Sequence, residues 1–148
     1  MNIINAENKI ADCLKIRYAV FVSEQGVPPD LEKDGYDEPG ALCEHFLIED
    51  GGAFVGTFRV LLDEYDAAHI GRLCIIPECR GRGLGRAALK FAARVYGRRG
   101  YKKLVLGAQC HAIPFYEKCG FSVVSDLYYD AGIPHRNMEK ILDAGERS

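Results

Sequence analysis

Ile70-Gly-Arg-Leu-Cys-Ile-Ile-Pro-Glu-Cys-Arg-Gly-Arg-Gly-Leu-Gly-Arg86 is the stretch whose reading decides the fold. Its apolar run, Leu73 to Ile76, is dense in branched residues and reads as a buried strand. Pro77 ends that strand, and Gly81, Gly83 and Gly85 then stand at alternate positions. Beyond them Leu84, Ala88, Phe91, Ala92 and Val95 recur at helical spacing with charges between, the pattern of an amphipathic helix. Strand, glycine-rich turn and helix in succession make an anion cradle. Glycines let successive backbone N–H groups converge on one point and remove side chains that would hold an anion away. The helix start adds unpaired donors and the positive end of its dipole. The stretch is expected to hold a phosphate.

Spacing narrows the ligand. A dinucleotide fingerprint asks for G-x-G-x-x-G, and the order here is Gly81-x-Gly83-x-Gly85. A Walker loop asks for Gly-Lys-Ser or Gly-Lys-Thr, where this chain has Leu84-Gly85-Arg86. Arg80-x-x-Gly83-x-Gly85 instead resembles the R/Q-x-x-G-x-G/A motif of the GNAT superfamily of acetyl-CoA-dependent acyltransferases. Downstream, Gln109-x-x-Ala112-x-x-Phe115-Tyr116-x-x-x-Gly120-Phe121 resembles the N-x-x-A-x-x-x-Y-x-x-x-G-F segment of that superfamily. Arg17-Tyr-Ala-Val-Phe-Val-Ser-Glu-Gln-Gly-Val-Pro28, followed by Glu32, Asp34, Asp37 and His45, is similar to the ElaA/YjcF-like branch. So is Asp130-Ala-Gly-Ile-Pro-His135 with Met138 after it. The resemblance covers nearly the whole chain.

The composition suits one globular domain, residues 1–148, with 48% hydrophobic and 27% charged residues. A formal net charge of −2 gives no overall drive toward nucleic acid or a membrane. The first residues carry Glu7 and Asp12 and lack a signal-peptide core, and no apolar run approaches a bilayer span, so a cytoplasmic location is expected. Six cysteines without a C-x-x-C pair read as reduced, small buried hydrophobes. A nucleophile at Cys74, Cys79 or Cys110 is the weaker reading, and no metal is expected because no ligand set has the right spacing.

Along the chain, Met1 to Asn5 reads as an edge strand and Ala6 to Val22 as a helix ended by Pro28 and Pro29. Asp30 to Glu44 holds six acidic residues against Lys33 alone. It reads as a loop with one helical turn, presenting either a solvated acidic surface or, more sharply, a negative wall beside a cationic substrate. His45 to Glu49 and Ala53 to Leu62 are strands joined through Asp50-Gly51-Gly52. After the glycine loop and long helix come a strand at Lys103 to Gly107 and a short helix at Ala112 to Cys119. A strand pair, Phe121 to Leu127 and Arg136 to Leu142, closes the chain, linked by Tyr128 to His135. The order β-α-β-β-β-α-β-α-β-β is a mixed α/β sheet with helices on both faces. It is also the order that the GNAT resemblance implies. Arg86, Lys90, Arg94 and Arg98 read as the solvent side of the long helix rather than a nucleic-acid footprint.

The resemblance implies a division of labour. Two strands splay apart to admit pantetheine, which pairs with the backbone of Leu73, Cys74 and Ile75, the Leu73 N–H meeting the thioester oxygen. Pyrophosphate sits on the amides of Arg80, Gly81, Arg82, Gly83, Leu84, Gly85 and Arg86, with the Arg80 and Arg86 side chains as further partners. Gln109, Ala112 and Phe115 complete the coenzyme A site, and Tyr116 donates a proton to the departing thiolate. Arg17, Phe21, Glu24, Gln25, His45 and His135 form the acceptor wall. The base is open between His45, His69, His111, His135, Glu24 and water; His69, four residues before Leu73, is expected on the same strand face. The implied activity is acetyl transfer to a primary amine of a small molecule or peptide, with a homodimer left open. A non-catalytic coenzyme A or acyl-CoA sensor is the alternative.

Overall fold

The computed structural model describes residues 1–143. Strands β1 (Asn2–Asn5), β2 (Cys43–Asp50), β3 (Ala53–Leu61) and β4 (Ala67–Ile75) pair antiparallel in chain order. β5 (Lys103–Gln109) lies parallel to β4, and β8 (Ile133–Ile141) lies antiparallel to β5. Short strands β6 (Ser122–Val123) and β7 (Tyr128–Asp130) both pair with β8, giving one mixed sheet.

Alternation along β2 explains why both faces are covered. Phe46 and Ile48 point to one core and Leu47 to another, and all three are buried. Helix α3 (Leu84–Arg98) lies on the first face, burying Leu84, Ala88, Leu89, Ala92, Ala93 and Tyr96. Phe46 stacks on Phe58 at 4.9 Å between ring centroids, and Phe91 of α3 meets Phe46 edge-on at 5.4 Å. On the other face α1 (Ile10–Arg17) packs Cys13 and Ile16 against Leu47 and Cys74. Each large apolar side chain buried in this way contributes roughly 1.5–3 kcal/mol.

Three elements differ from the sequence expectation. The strand read at Phe121 to Leu127 shortens to β6, because its ladder with β8 ends at Val123. The first helix begins at Ile10, and after Arg17 widens into a π-helix, Tyr18–Glu24, which turns its last residues toward the sheet's open end. The connection Tyr128 to His135 is itself a hairpin, β7 to β8, with a two-residue turn at Ala131 (φ 51°) and Gly132 (φ 77°). Such a turn is normally announced by Asn-Gly or Asp-Gly. Alanine at a positive-φ position conceals it.

The feature that positions the site is the parting of β4 and β5. Their ladder joins Ala67 to Lys103, Ala68 to Leu104 and His69 to Val105, and ends there. Both strands run on, β4 against β3 as far as Ile75 and β5 against β8 as far as Gln109. Their facing edges therefore diverge. β4 also carries a bulge: Thr57 pairs with Cys74 and Arg59 with Gly71, so Arg72 and Leu73 together face Phe58. Arg72 sits at φ 55°, which relieves the extra residue locally.

The β3–β4 ladder is tight where Gly56 meets Ile75. A Cβ at Gly56 would stand 2.9 Å from the Cys74 carbonyl oxygen and 2.6 Å from Ile75 Cδ1. Gly56→Ala must push the two strands apart, and a loss of about 1–3 kcal/mol is expected in urea unfolding. An unchanged midpoint would show that the ladder yields freely there.

Candidate active site

A cleft of about 1050 Å³ fills the divergence between β4 and β5. Leu73, Cys74 and Ile75 line one side, and Leu106, Gly107 and Gln109 the other. At its end stand Gly81, Gly83, Gly85 and Arg86, leading into α3. Gly83 caps α3 at φ 77° with no side chain on the helix N–H groups, and Gly81 lies at φ 79°. The first amides of a fifteen-residue helix thus point outward beside the cleft. Gly85 has a second reason to be glycine: a Cβ there would stand 3.2 Å from Phe115 Cζ.

Helix α4 (Ile113–Lys118), entered through a 3₁₀ turn at Cys110–Ala112, lays Ala112, Phe115 and Tyr116 along the cleft. Tyr116 packs edge-on to Phe115 and Phe121, with centroids at 5.1 and 5.9 Å. Its hydroxyl has no hydrogen-bond partner among the described residues, and burial pushes the phenol up to about 12, with smaller contributions from Cys119 and Cys74. The phenol is held protonated. Burial also raises the Cys74 thiol, whose side chain points away into the α1 core, so it is inert as a nucleophile.

Two residues expected at the coenzyme site make contacts that the sequence does not announce. Arg80 donates to both carboxylate oxygens of Glu24 at 2.7 Å and, through Nε, to the Ile75 carbonyl at 2.9 Å. The paired guanidinium holds the Glu24 carboxyl below its usual range. Gln109 exchanges amide hydrogen bonds with Gln25 at 2.8 and 3.2 Å. Glu24 and Gln25, at the end of the π-helix, thereby tie together the two sides of the opening. Arg82 lies outside the cleft, 3.6 Å from Asp50.

Of the expected acceptor wall, Phe21, Glu24, Gln25 and His135 line the cleft. Arg17 and His45 do not. Arg17 is 1% exposed and spends its donors inside the protein: Nε on Glu32 at 2.8 Å, Nη1 on Asp37 at 2.6 Å, Nη2 on the Glu32 carbonyl at 2.8 Å. His45 Nε2 lies 2.9 Å from the Tyr36 carbonyl, and burial lowers its basicity. His69 lines the cleft, but the extra residue of the bulge reverses the alternation. Leu73 falls with Ala68 and Ile70 on the α3 face, and His69 on the opposite one. The expectation of a shared face therefore fails.

The acidic segment is likewise corrected. Helix α2 (Pro29–Glu32) and a 3₁₀ turn at Gly35–Asp37 bring Glu32, Asp34 and Asp37 inward. Arg59 binds Asp34 at 2.7 Å through each terminal nitrogen and Asp37 at 3.1 Å, while Arg72 Nε binds Glu32 at 2.8 Å. Three carboxylates thus meet three guanidiniums, counting Arg17. The wall of negative potential is cancelled from within. Arg59 and Arg72 were missed by sequence reasoning; the visible signal was an arginine amid the apolar run Phe54 to Leu61.

Residues 20–142 match the family model described as an acetyltransferase (GNAT) domain. The uncharacterized N-acetyltransferase YjcF of Bacillus subtilis is 35% identical over 136 residues, 90% of this chain and 94% of that protein. Protein ElaA of Escherichia coli is 33% identical over 130 residues, covering 86% and 84% of the two chains. The crystal structure of Escherichia coli ElaA superposes with a TM-score of 0.80 at 28% identity, over 94% of this chain and 97% of that one. A candidate N-acetyltransferase from Lactobacillus plantarum superposes at 0.88 with 30% identity, over 96% and 98%.

The ion network makes a pH prediction. The Arg17 and Arg59 guanidiniums hold the Asp37 carboxyl, despite the cost of burial, at about 2 against an ordinary 3.8. A carboxyl depressed in the folded state stabilises fully above its unfolded pKa, and that stability is lost as pH falls through the folded one. Asp37→Asn should cost about 2 kcal/mol at neutral pH, the worth of that depression at roughly 1.36 kcal/mol per unit, because Arg17 keeps Glu32 and Arg59 keeps Asp34. The gap between variant and parent in urea midpoints should close between about pH 4 and pH 2. A gap that persists to pH 2 would mean packing, not charge, carries the effect.

Proposed function

This chain belongs to the GNAT acetyltransferase family, and on that premise we propose that it transfers an acetyl group from acetyl-CoA directly to a primary amine of a small molecule or peptide. The observation that carries the reading is the parted β4–β5 edge, which runs from the unpartnered Tyr116 hydroxyl to the Gly81–Gly85 cradle. A pantetheine arm fits such an opening because it is a chain of amides, which the free strand edge can pair as an added strand. The cradle takes the pyrophosphate on backbone amides and the dipole end of α3, with Arg86 beside it. For the Arg80 side chain to join it, the Glu24 pair must open.

The protein's part in the chemistry is electrostatic and protonic. The Leu73 N–H, in the bulged pair of β4 at the cleft, serves as the donor to the thioester oxygen as charge develops there. The amine nitrogen forms its bond to the carbonyl carbon, the carbon–sulfur bond breaks, and sulfur takes the Tyr116 proton. Cleft walls of Val20, Phe21, Val27 and Leu31 exclude water that would compete with the amine.

Two measurements test this. Gly83→Val forces a branched residue to φ 77° at the cap of α3. Thermal stabilisation by acetyl-CoA, expected in the parent, should vanish; a folded variant stabilised as before would move the phosphate site elsewhere. Tyr116→Phe keeps shape and packing but loses the proton. It should bind acetyl-CoA as the parent does and lower kcat by ~10²–10⁴ in a free-thiol assay across an amine panel. With the phenol at about 12, the parent's rate should show no decline from phenol ionisation through pH 10. A variant with full kcat would remove Tyr116 from the reaction. Coenzyme A binding without thiol release by the parent, with every amine, would favour a sensor.

A further inference from the structure

Primary alkylamines are cationic at neutral pH, so the acceptor must shed a proton before its nitrogen can attack, and the reaction above gives that proton no destination. The geometry separates the candidates. Both Glu24 oxygens are held by Arg80. His45 is outside the cleft with Nε2 on a carbonyl, and His69 is turned to the strand face away from Leu73. His111 is exposed, its Nε2 bonded to Gln109 Oε1 at 2.7 Å. An amide oxygen only accepts, so Nε2 carries the proton and the lone pair falls on Nδ1, but on a ring exposed to solvent rather than buried in the cleft wall.

His135 is arranged differently. Its Nδ1 lies 2.7 Å from the Ile133 carbonyl, which again only accepts, so the proton sits on Nδ1 and the lone pair on Nε2. The residue is 9% exposed, lines the cleft, and Nε2 has no partner among the described residues. The ring cannot turn away. It stacks on Tyr128 at 5.8 Å and 22°, and Tyr128 is itself pinned by donating to Asn137 Oδ1 at 2.6 Å. The backbone of His135 pairs with Gln109 of β5 and with Tyr128 of β7. A buried imidazole in the cleft wall, locked in one tautomer with an unpartnered lone pair, has the form of a base rather than of a structural histidine.

We propose that His135 Nε2 is the general base that accepts the amine proton, an assignment that rests on the acyltransferase reading. The ammonium loses two protons overall. Nε2 takes the first and passes it to solvent through the cleft. Attack forms the carbon–nitrogen bond, and the second proton leaves that nitrogen as the carbon–sulfur bond breaks. Sulfur gains the Tyr116 proton, and the phenolate recovers the one released by nitrogen, so one proton is released per turnover. The titratable groups set around the imidazole are Tyr128 and Asp130 on one face of β7, and Cys110 and His111 in the turn after β5.

His135→Asn tests this, because its side-chain amide can still donate to the Ile133 carbonyl while lacking the basic lone pair. With an alkylamine acceptor kcat should fall ~10²–10⁴. Thermal stabilisation by acetyl-CoA should be unchanged, the acid limb of the kcat/KM profile should disappear, and added imidazole should restore part of the rate. With hydroxylamine, which is uncharged at neutral pH, the defect should shrink. An unchanged kcat, or an equal loss with both acceptors and no rescue by imidazole, would overturn the assignment. Should the variant fail to fold, diethyl pyrocarbonate on the parent gives the same answer: activity should fall in step with modification of His135, and full activity with His135 modified would overturn it. A parent that releases no thiol with any acceptor overturns the acyltransferase reading and this assignment with it.

Discussion

Past His69, β4 has a ladder along one edge alone, and the site depends on that constraint. A parallel pair stays closed while both strands twist together. Here β4 is bent by an extra residue at Arg72 and Leu73 while β5 remains bound to β8 as far as Gln109. The strain of a non-glycine residue at φ 55° is opposed by specific contacts: Arg72 Nε donates to Glu32 at 2.8 Å and Nη2 to its carbonyl at 3.1 Å. The bulge and the segment that faces it hold each other in place.

That segment would be a poor structure by itself. Residues 29–37 form one helical turn and one 3₁₀ turn, with a capping box between Asp34 and Asp37. What fixes it is the exchange of three carboxylates for three guanidiniums contributed by α1, β3 and β4. Four of the six charges, Arg17, Glu32, Asp37 and Arg59, are taken from water at a cost of several kcal/mol per ion, so the network does not add much to net stability over an apolar core. Its consequence is specificity. Each guanidinium finds its partners in one arrangement, and that arrangement sets the end of the π-helix, with Glu24 and Gln25, across the cleft mouth.

Within the cleft, two groups of opposite proton status arise from the same cause, burial with or without a partner. Tyr116 has no acceptor among the described residues, so the loss of water favours the neutral phenol. His135 has a carbonyl on one nitrogen and nothing on the other, so its basic site is directed rather than shared. The proposed acid and base roles are thus separated by local hydrogen bonding on α4 and β8.

The sequence by itself determined the order of the main elements, the glycine-rich turn, the helix behind it and the short helix that carries Tyr116. These are local: a periodicity, a run of positive-φ glycines, a spacing within one segment. It also sufficed for the family resemblance, since Arg80 to Gly85 and Gln109 to Phe121 are each contiguous. Tertiary structure decided what depended on pairing across the chain. Arg17 moved from the acceptor wall to the interior because Glu32 and Asp37 come from a loop whose direction no periodicity fixes. His69 changed face because one inserted residue reverses every side chain beyond it. His135 acquired a defined lone pair because a hairpin hidden behind Ala131 brought the Ile133 carbonyl to its ring. Charge in a sequence has a sign but no partner, and it is the partner that decides whether a charged residue builds the protein or meets its substrate.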